Sequence, residues 1–323
     1  MKTEFEFIET LCRKYNLSKV GDDCAILPKN SKTDTVITTD LLVEDIDFKL
    51  AWSKPEFIGH KSLAVSLSDV AAMGAKPVWS MVSIGVPASV WKTDFVDEFY
   101  EGYMRLAKKF DVELVGGDVS KTPDKVVIDS IVAGEVKKGK AVLRSGAKVG
   151  DLIYVTDELG GAAAGLTLLE NGVRYDDSTK IWQKNLLLKP LHPFPHTHAA
   201  LNLNDEITPT AMIDLSDGLS SDLAHLCRAS QVGAKIYADK IPLHKNLNSI
   251  VKTFDEKLNY ALNGGEDFEL LFTANPKKKF QLKKAHEKRG FSCIGEIIVN
   301  ADIIELINGD RSTILQPKGF RHF

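Results

Sequence analysis

The segment AMIDLSDGLSSDL, residues 211–223, sets Asp214, Asp217 and Asp222 among Met212, Ile213, Leu215 and Leu219. An unpaired carboxylate in such apolar company costs several kcal/mol. Helix capping accounts for Asp217, which stands just ahead of the apolar-periodic run Leu219, Leu223 and Leu226 and can accept the first free N–H groups. It does not account for Asp214, which ends a strand-like run and needs a cation or a donor of its own.

Acids recur in this manner along the chain. GDDCAILP carries Asp22 and Asp23 beside a glycine, and TTDLLVEDID carries Asp40 at a strand end, followed by Glu44, Asp45 and Asp47. SLSDVAAMG holds Asp69 in the middle of an almost wholly apolar helix, where a carboxylate finds no free donors. ELVGGDVSKT has Asp118 after two glycines at a strand end, and ALNGGEDFELLF repeats the design with Glu266 and Asp267. Strand ends and Gly-Gly turns are where backbone approaches ligands closely. Taken singly, most of these acids read as turn or cap residues, and Asp69 is the hardest to explain so. Gathered on one cleft, two charges at about 4 Å would repel by about 4 kcal/mol near a protein surface, so the acids either stay apart or hold hard cations. All-oxygen ligation without paired His or Cys points to magnesium and not zinc, and magnesium held by carboxylates serves phosphates.

Other candidates are weaker. Gly134–Ala141, GEVKKGKA, fits part of a nucleotide-binding P-loop but lacks the metal-binding hydroxyl at Ala141. GGAAAG at 160–165 lacks dinucleotide-binding spacing and reads as close helix–strand packing. His192, His196 and His198 fall in a Pro-rich loop and read as a surface cluster.

The elements that must position these acids alternate helix and strand. Helices are expected over 4–15, 54–73 and 93–110, and strands over 34–40, 78–86 and 126–136. The second helix has a Ser53–Glu56 capping box, Pro55 in its first turn and Gly74 at its end. The pattern restarts at Gly150: DLIYVT is a strand, GGAAAGLTLLE a helix, and strands follow near 210–214, 234–238, 268–273 and 293–298. ENGV and INGD mark turns, the latter a hairpin. A boundary in the Gly/Lys-rich stretch 137–150 gives domains of 1–137 and 148–323.

Composition excludes several classes. The 323 residues are 44% hydrophobic and 26% charged, as in a globular protein with room for two cores. A net charge of −3 argues against nucleic-acid binding by phosphate neutralisation. No run is long enough for a membrane span, and MKTEFEFIETLCRKY lacks the apolar core of a signal peptide. Cys12, Cys24, Cys227 and Cys293 are scattered, which fits a reducing cytoplasm.

Taken in order, GDDCA, TTD, KSLAVSLSDVAAMGA, GGD, LRSGAK, IDLSDGLSSDL, GGEDFEL and a terminal KGF-x-HF resemble the thiamine-monophosphate kinase family of the aminoimidazole ribonucleotide synthetase superfamily, from Gly21 to Phe323. The resemblance implies a two-domain α/β (α+β) fold: an N-terminal mixed sheet with helices that dimerises through that sheet, and a C-terminal α/β sandwich domain. ATP and several Mg2+ ions would lie in the cleft between them. It places magnesium ligands on Asp23, Thr38, Thr39, Asp40, Asp69, Asp118, Asp214 and Asp217, and ATP contacts on Gly117, Asp118, Arg144 and Ser216. Thiamine monophosphate contacts fall on Asp47, Glu266 and Phe320, and Asp118, Arg144 and Asp217 are expected to act on the transferring phosphoryl group. Two departures stand out: the family often has His at the position of Asp47, and its terminal Gly-Tyr-Asp-His-Phe reads Gly319-Phe320-Arg321-His322-Phe323 here. The acceptor the resemblance implies is a phosphate monoester with a second pKa of about 6, a dianion near neutrality that would need no general base. The alternatives are a superfamily synthetase with another acceptor and a non-catalytic cation-binding protein.

Overall fold

The computed structural model describes residues 4–278, 281–282 and 290–320, which build two sheets in succession. The first half comprises α1 (Glu4–Tyr15), β1 (Ala25–Pro28), β2 (Thr33–Val43), α2 (Pro55–Ala72), β3 (Lys76–Pro87), the single turn α3 (Ala88–Trp91), α4 (Phe95–Phe110), β4 (Glu113–Thr122) and β5 (Val127–Lys137). Its sheet has the order β1-β2-β5-β3-β4. Only β3 and β4 run parallel, and α4 supplies the crossover such a pair needs.

Helix α2 is buried on nearly every side, from Ile58 to Ala72, with Asp69 half-buried among apolar residues. One flank lies against the sheet and another against α4, where backbones touch: a Cβ on Gly59 would fall 1.9 Å from the Phe99 carbonyl oxygen, and one on Gly102 1.8 Å from that of Glu56. Pro55 opens the helix as expected and Gly74, at φ +63°, ends it. The Ser53–Glu56 capping box does not form. The N-cap is Lys54, and the Ser53 hydroxyl donates to the Lys54 carbonyl at 3.4 Å instead of accepting from the helix.

Asp118 stands inside β4 and not at a strand end. The strand continues through Gly116 and Gly117 because it runs close beside β3: a Cβ on Gly117 would meet the Val82 carbonyl oxygen at 2.0 Å.

The second half comprises β6 (Leu152–Thr156), α5 (Gly161–Glu170), α6 (Ile181–Leu191), α7 (Thr197–Glu206), β7 (Ala211–Asp214), α8 (Leu219–Ser230), β8 (Gly233–Tyr237), α9 (Phe254–Asn263), β9 (Leu270–Ala274), β10 (Phe291–Ile298), β11 (Ile304–Asn308) and β12 (Arg311–Ile314). Sheet order is β12-β11-β8-β10-β6-β9-β7, antiparallel except for β8 beside β11. INGD is a hairpin turn between β11 and β12, with Gly309 at φ +59°. Leu223 and Leu226 of α8 and Leu258 and Leu262 of α9 belong to one core of this sheet. A second core joins Tyr154, Phe272 and Phe291 to Leu203, Ile207 and, from α2, Ala71 and Ala72. The C-terminal end of α2 is thus shared by both halves. Among the described residues no helix is long and apolar enough to cross a membrane.

Candidate active site

Helix α2 reaches two acids through Ser66 and Ser68 and carries a third, Asp69, itself. The Ser66 hydroxyl donates to Asp40 at 2.6 Å, the Ser68 hydroxyl to Asp214 at 2.7 Å, and Asp69 accepts from Thr38 at 2.5 Å. Asp214 closes strand β7, which answers why an acid ends an apolar run: the strand points it at α2. Asp23 enters from the loop before β1, buried, with Oδ1 accepting Arg144 Nη2 at 2.6 Å and Nε at 3.1 Å. Asp23, Asp69 and Asp214 each place a carboxylate oxygen within 4.8 Å of the other two.

These carboxylates are under-neutralised. Burial pushes Asp69 well above the ordinary range, with Asp40, Asp214 and Asp23 adding repulsion. Burial likewise raises Asp214 to about 7, and Asp40 and Asp22 to about 6. Asp23 is also raised by burial, against the pull of Arg144. Its Oδ2 is buried with no hydrogen-bond partner. A carboxylate has about four acceptor positions, and a buried acceptor left unmet costs roughly 1–3 kcal/mol. Oxygen ligands this close, short of donors and mutually repelling, fit a hard divalent cation.

Not every expected ligand joins them. Thr38 and Thr39 point to opposite faces of β2, and the Thr39 hydroxyl donates to Asp129 at 2.5 Å on the outer face. Gly117 lies three strands from Asp40, through Ser130 and Val82, a backbone separation of about 14 Å. Asp118, its neighbour, is exposed on the same strand, so a single chain does not bring these two to the acid cluster.

Asp217 does not cap α8. The N-cap is Gly218, at φ +112°, and Oδ2 of Asp222 accepts the N–H groups of Asp217 and Gly218 at 3.2 and 2.9 Å. Asp217, with Ser216, lines a cleft of about 660 Å3. Asp40 and Arg144 line it too, as do Asp47, Glu266 and Phe320, and its apolar surface includes Trp52 and Leu166. Arg144 is kept charged by Asp23, and its backbone N–H donates to Asp22 at 3.2 Å.

On the remaining wall the Asp47 carboxylate accepts the Val43 N–H at 2.7 Å, closing its own turn. Glu266 adopts φ +65° and its N–H donates to the Ser216 carbonyl at 2.7 Å. Residues 318–320 fold over the start of α8, Gly319 N–H donating to Ser221 Oγ at 3.0 Å. Arg321 lies outside the described residues. Lys61 escaped the sequence reading: its ammonium donates to Glu266 Oε1 at 2.5 Å and to the Asp47 carbonyl at 2.9 Å. The available signal was its place eight residues before Asp69, on the same helical face.

The histidines are not the expected surface cluster. His192 stacks on buried His60 with ring centroids 3.3 Å apart, and His196 Nε2 meets buried Glu269 at 2.6 Å; only His198 is exposed. The Pro193 carbonyl meets Nε2 of His60 at 2.7 Å, which ties this loop to α2. Asp267 is structural as well, its two oxygens accepting the Gly160 and Ala162 N–H groups at the start of α5.

Two family models cover most of the chain: AIR synthase related protein, N-terminal domain, over residues 21–136, and its C-terminal domain over 148–305. The thiamine-monophosphate kinase of Buchnera aphidicola is 38% identical over 99% of both chains, and that of Bacillus subtilis 36% identical over 94% of this chain and 93% of its own. A solved structure of AaThiL complexed with AMPPCP and TMP superposes with a TM-score of 0.85 at 30% identity, covering 99% of this chain and 97% of that one.

Proposed function

The chain belongs to the thiamine-monophosphate kinase family, and we infer that its buried acids hold magnesium for the transfer of a phosphoryl group from ATP to thiamine monophosphate. The protein is a kinase, and ATP is its co-substrate. The observation that carries the metal reading is the Asp23–Asp69–Asp214 cluster, drawn within 4.8 Å and short of donors.

Asp23, Asp69 and Asp214 would hold the metal, with Asp40 and Asp217 beside them and Thr38 orienting Asp69. Bound magnesium screens the charge between two polyanions and favours in-line transfer. Arg144 adds a fixed cation, held by Asp22 and Asp23 so that no reorganisation is needed when phosphates arrive. Ser216, Gly117 and Asp118 are the proposed nucleotide contacts. No histidine lines the cleft among the described residues, in keeping with an acceptor that is already a dianion.

Phe320 is the stacking partner of the thiamine rings, a contact worth about 0.5–2 kcal/mol with a cationic ring. Glu266 supplies a carboxylate against that positive charge. Asp47, whose carboxylate closes its own turn, contributes the shape of the wall. Leu41 and Met81 are exposed on the outer face of the first sheet and Val115 and Val119 on its edge strand β4, and this exposed apolar surface supports a homodimer through the first sheet, with Gly117 and Asp118 on the same edge strand. The unpaired cysteines support a reducing, cytoplasmic setting.

Purified protein incubated with ATP and thiamine monophosphate is expected to yield ADP and thiamine diphosphate only with a divalent cation. Free thiamine is expected to fail, because it lacks the ionised phosphate oxygen that serves as nucleophile and its hydroxyl would first have to lose a proton. Equal turnover of free thiamine, or turnover in excess chelator, overturns the reading.

A further inference from the structure

The side chain of Lys61 is 7% exposed, whereas that of its ion-pair partner Glu266 is 34% exposed. The cation has been taken out of water and the anion left facing the cleft. Burying an ammonium is costly, and replacing a buried ion pair by apolar side chains is often neutral or stabilising. Lys61 lines the cleft beside Ile58, Val65 and Phe48, where an unbranched apolar residue of similar length would pack. Stability alone therefore gives no reason for a lysine here.

Its bonds supply one. The ammonium joins two loops from different halves of the chain, reaching the Asp47 carbonyl at 2.9 Å and Glu266 Oε1 at 2.5 Å. The Glu266 backbone is already fixed by its left-handed φ and its bond to the Ser216 carbonyl. Its carboxylate, on a flexible stem, is fixed by Lys61. Because Lys61 sits on α2, eight residues and about 12 Å of helix rise from Asp69, one rigid element sets both the metal end and the substrate wall.

We propose that Lys61 is a positioning residue that aims the Glu266 carboxylate at the cationic ring system of the acceptor and holds the two cleft walls in register. The inference rests on the substrate reading of Glu266. A flexible carboxylate loses affinity for the ring system through the rotamer freedom it must surrender on binding, and leaves the metal end untouched.

The test is steady-state kinetics of Lys61→Met, Lys61→Arg, Glu266→Gln and the Lys61→Met/Glu266→Gln double variant, with thermal melts to confirm folding. Lys61→Met is expected to raise KM for thiamine monophosphate roughly tenfold. KM for ATP should stay within about twofold, and Lys61→Arg should recover part of the loss. The double variant is expected to be no worse than the poorer single one, since both remove one interaction. A Lys61→Met enzyme with unaltered KM for thiamine monophosphate, beside a defective Glu266→Gln, overturns the role of Lys61, as does strict additivity. An unaltered Glu266→Gln enzyme instead overturns the substrate reading of Glu266 on which the inference rests.

Discussion

The backbone N–H of Phe320 donates to the carbonyl oxygen of Asp217 at 3.1 Å. One hydrogen bond therefore ties the aromatic ring assigned to the acceptor to the turn that carries a proposed metal ligand. Phe320 is 48% exposed and lines the cleft, with its backbone held by that bond.

Phe320→Ala is expected to raise KM for thiamine monophosphate by about 2- to 30-fold, the equivalent of 0.5–2 kcal/mol, with KM for ATP nearly unchanged. Deleting residues 319–323 should do at least as much. A truncated enzyme with unaltered kinetics would show that the tail does not reach the substrate.

Gly319→Ala tests the docking separately from the ring. A Cβ there would fall 2.2 Å from the Asp217 carbonyl oxygen and 2.6 Å from Ser221 Oγ. The backbone cannot yield without breaking the Phe320–Asp217 bond. Gly319→Ala should therefore match the KM defect of Phe320→Ala with its phenylalanine intact, and wild-type kinetics would contradict the docked geometry.

Metal-free protein should lose stability as pH rises. Burial lifts Asp214 to about 7 and Asp40 to about 6, above their unfolded value of 3.8. The folded state then keeps protons the unfolded chain releases, so stability falls between about pH 4 and pH 7 by a few kcal/mol. Magnesium opposes this only where the acids are ionised. Thermal melts should show a larger magnesium-induced gain at pH 8 than at pH 5, and equal gains would contradict the assignment.

The His196–Glu269 pair gives a second pH test, away from the metal. Burial alone would lower His196, but Glu269 raises it above its ordinary 6.5; burial alone would raise Glu269, but His196 and Lys189 hold it down. The His196 contribution is complete below pH 6.5 and fades as pH passes its folded value; that of Glu269 is present above 4.5 and fades on acidification. His196→Gln should cost about 1.5–3 kcal/mol near pH 6, less at pH 8.5. Urea unfolding at the two pH values measures this, and a loss independent of pH would contradict the charged pair.

Acids that matter were readable because a carboxylate in an apolar run is costly, and Asp69 and Asp214 stood out on that ground alone. Lys61 was not, since a lysine near a helix start reads as solvated and its burial depends on a loop more than two hundred residues away. Which of Thr38 and Thr39 faces the cluster follows from how β2 lies on the sheet, and no local pattern fixes that. The helix-entry rules misled twice. Ser53 donates to the Lys54 carbonyl, and Asp217 lies one residue ahead of the N-cap Gly218 and gives its own N–H to Asp222. Gly117 and Asp118 carried a recognisable motif, yet strand order puts them about 14 Å from Asp40, a separation only topology reveals.

The central claim is that Asp23, Asp69 and Asp214 together hold a divalent cation. Crystals grown with Mn2+ and a non-hydrolysable ATP analogue test it directly, through anomalous scattering in wild type and Asp69→Asn. An anomalous peak bounded by all three carboxylates in wild type, and lost or displaced in Asp69→Asn together with roughly 100-fold or more of the activity, is the predicted result. Nucleotide bound in the cleft with no peak among the three acids would contradict the account.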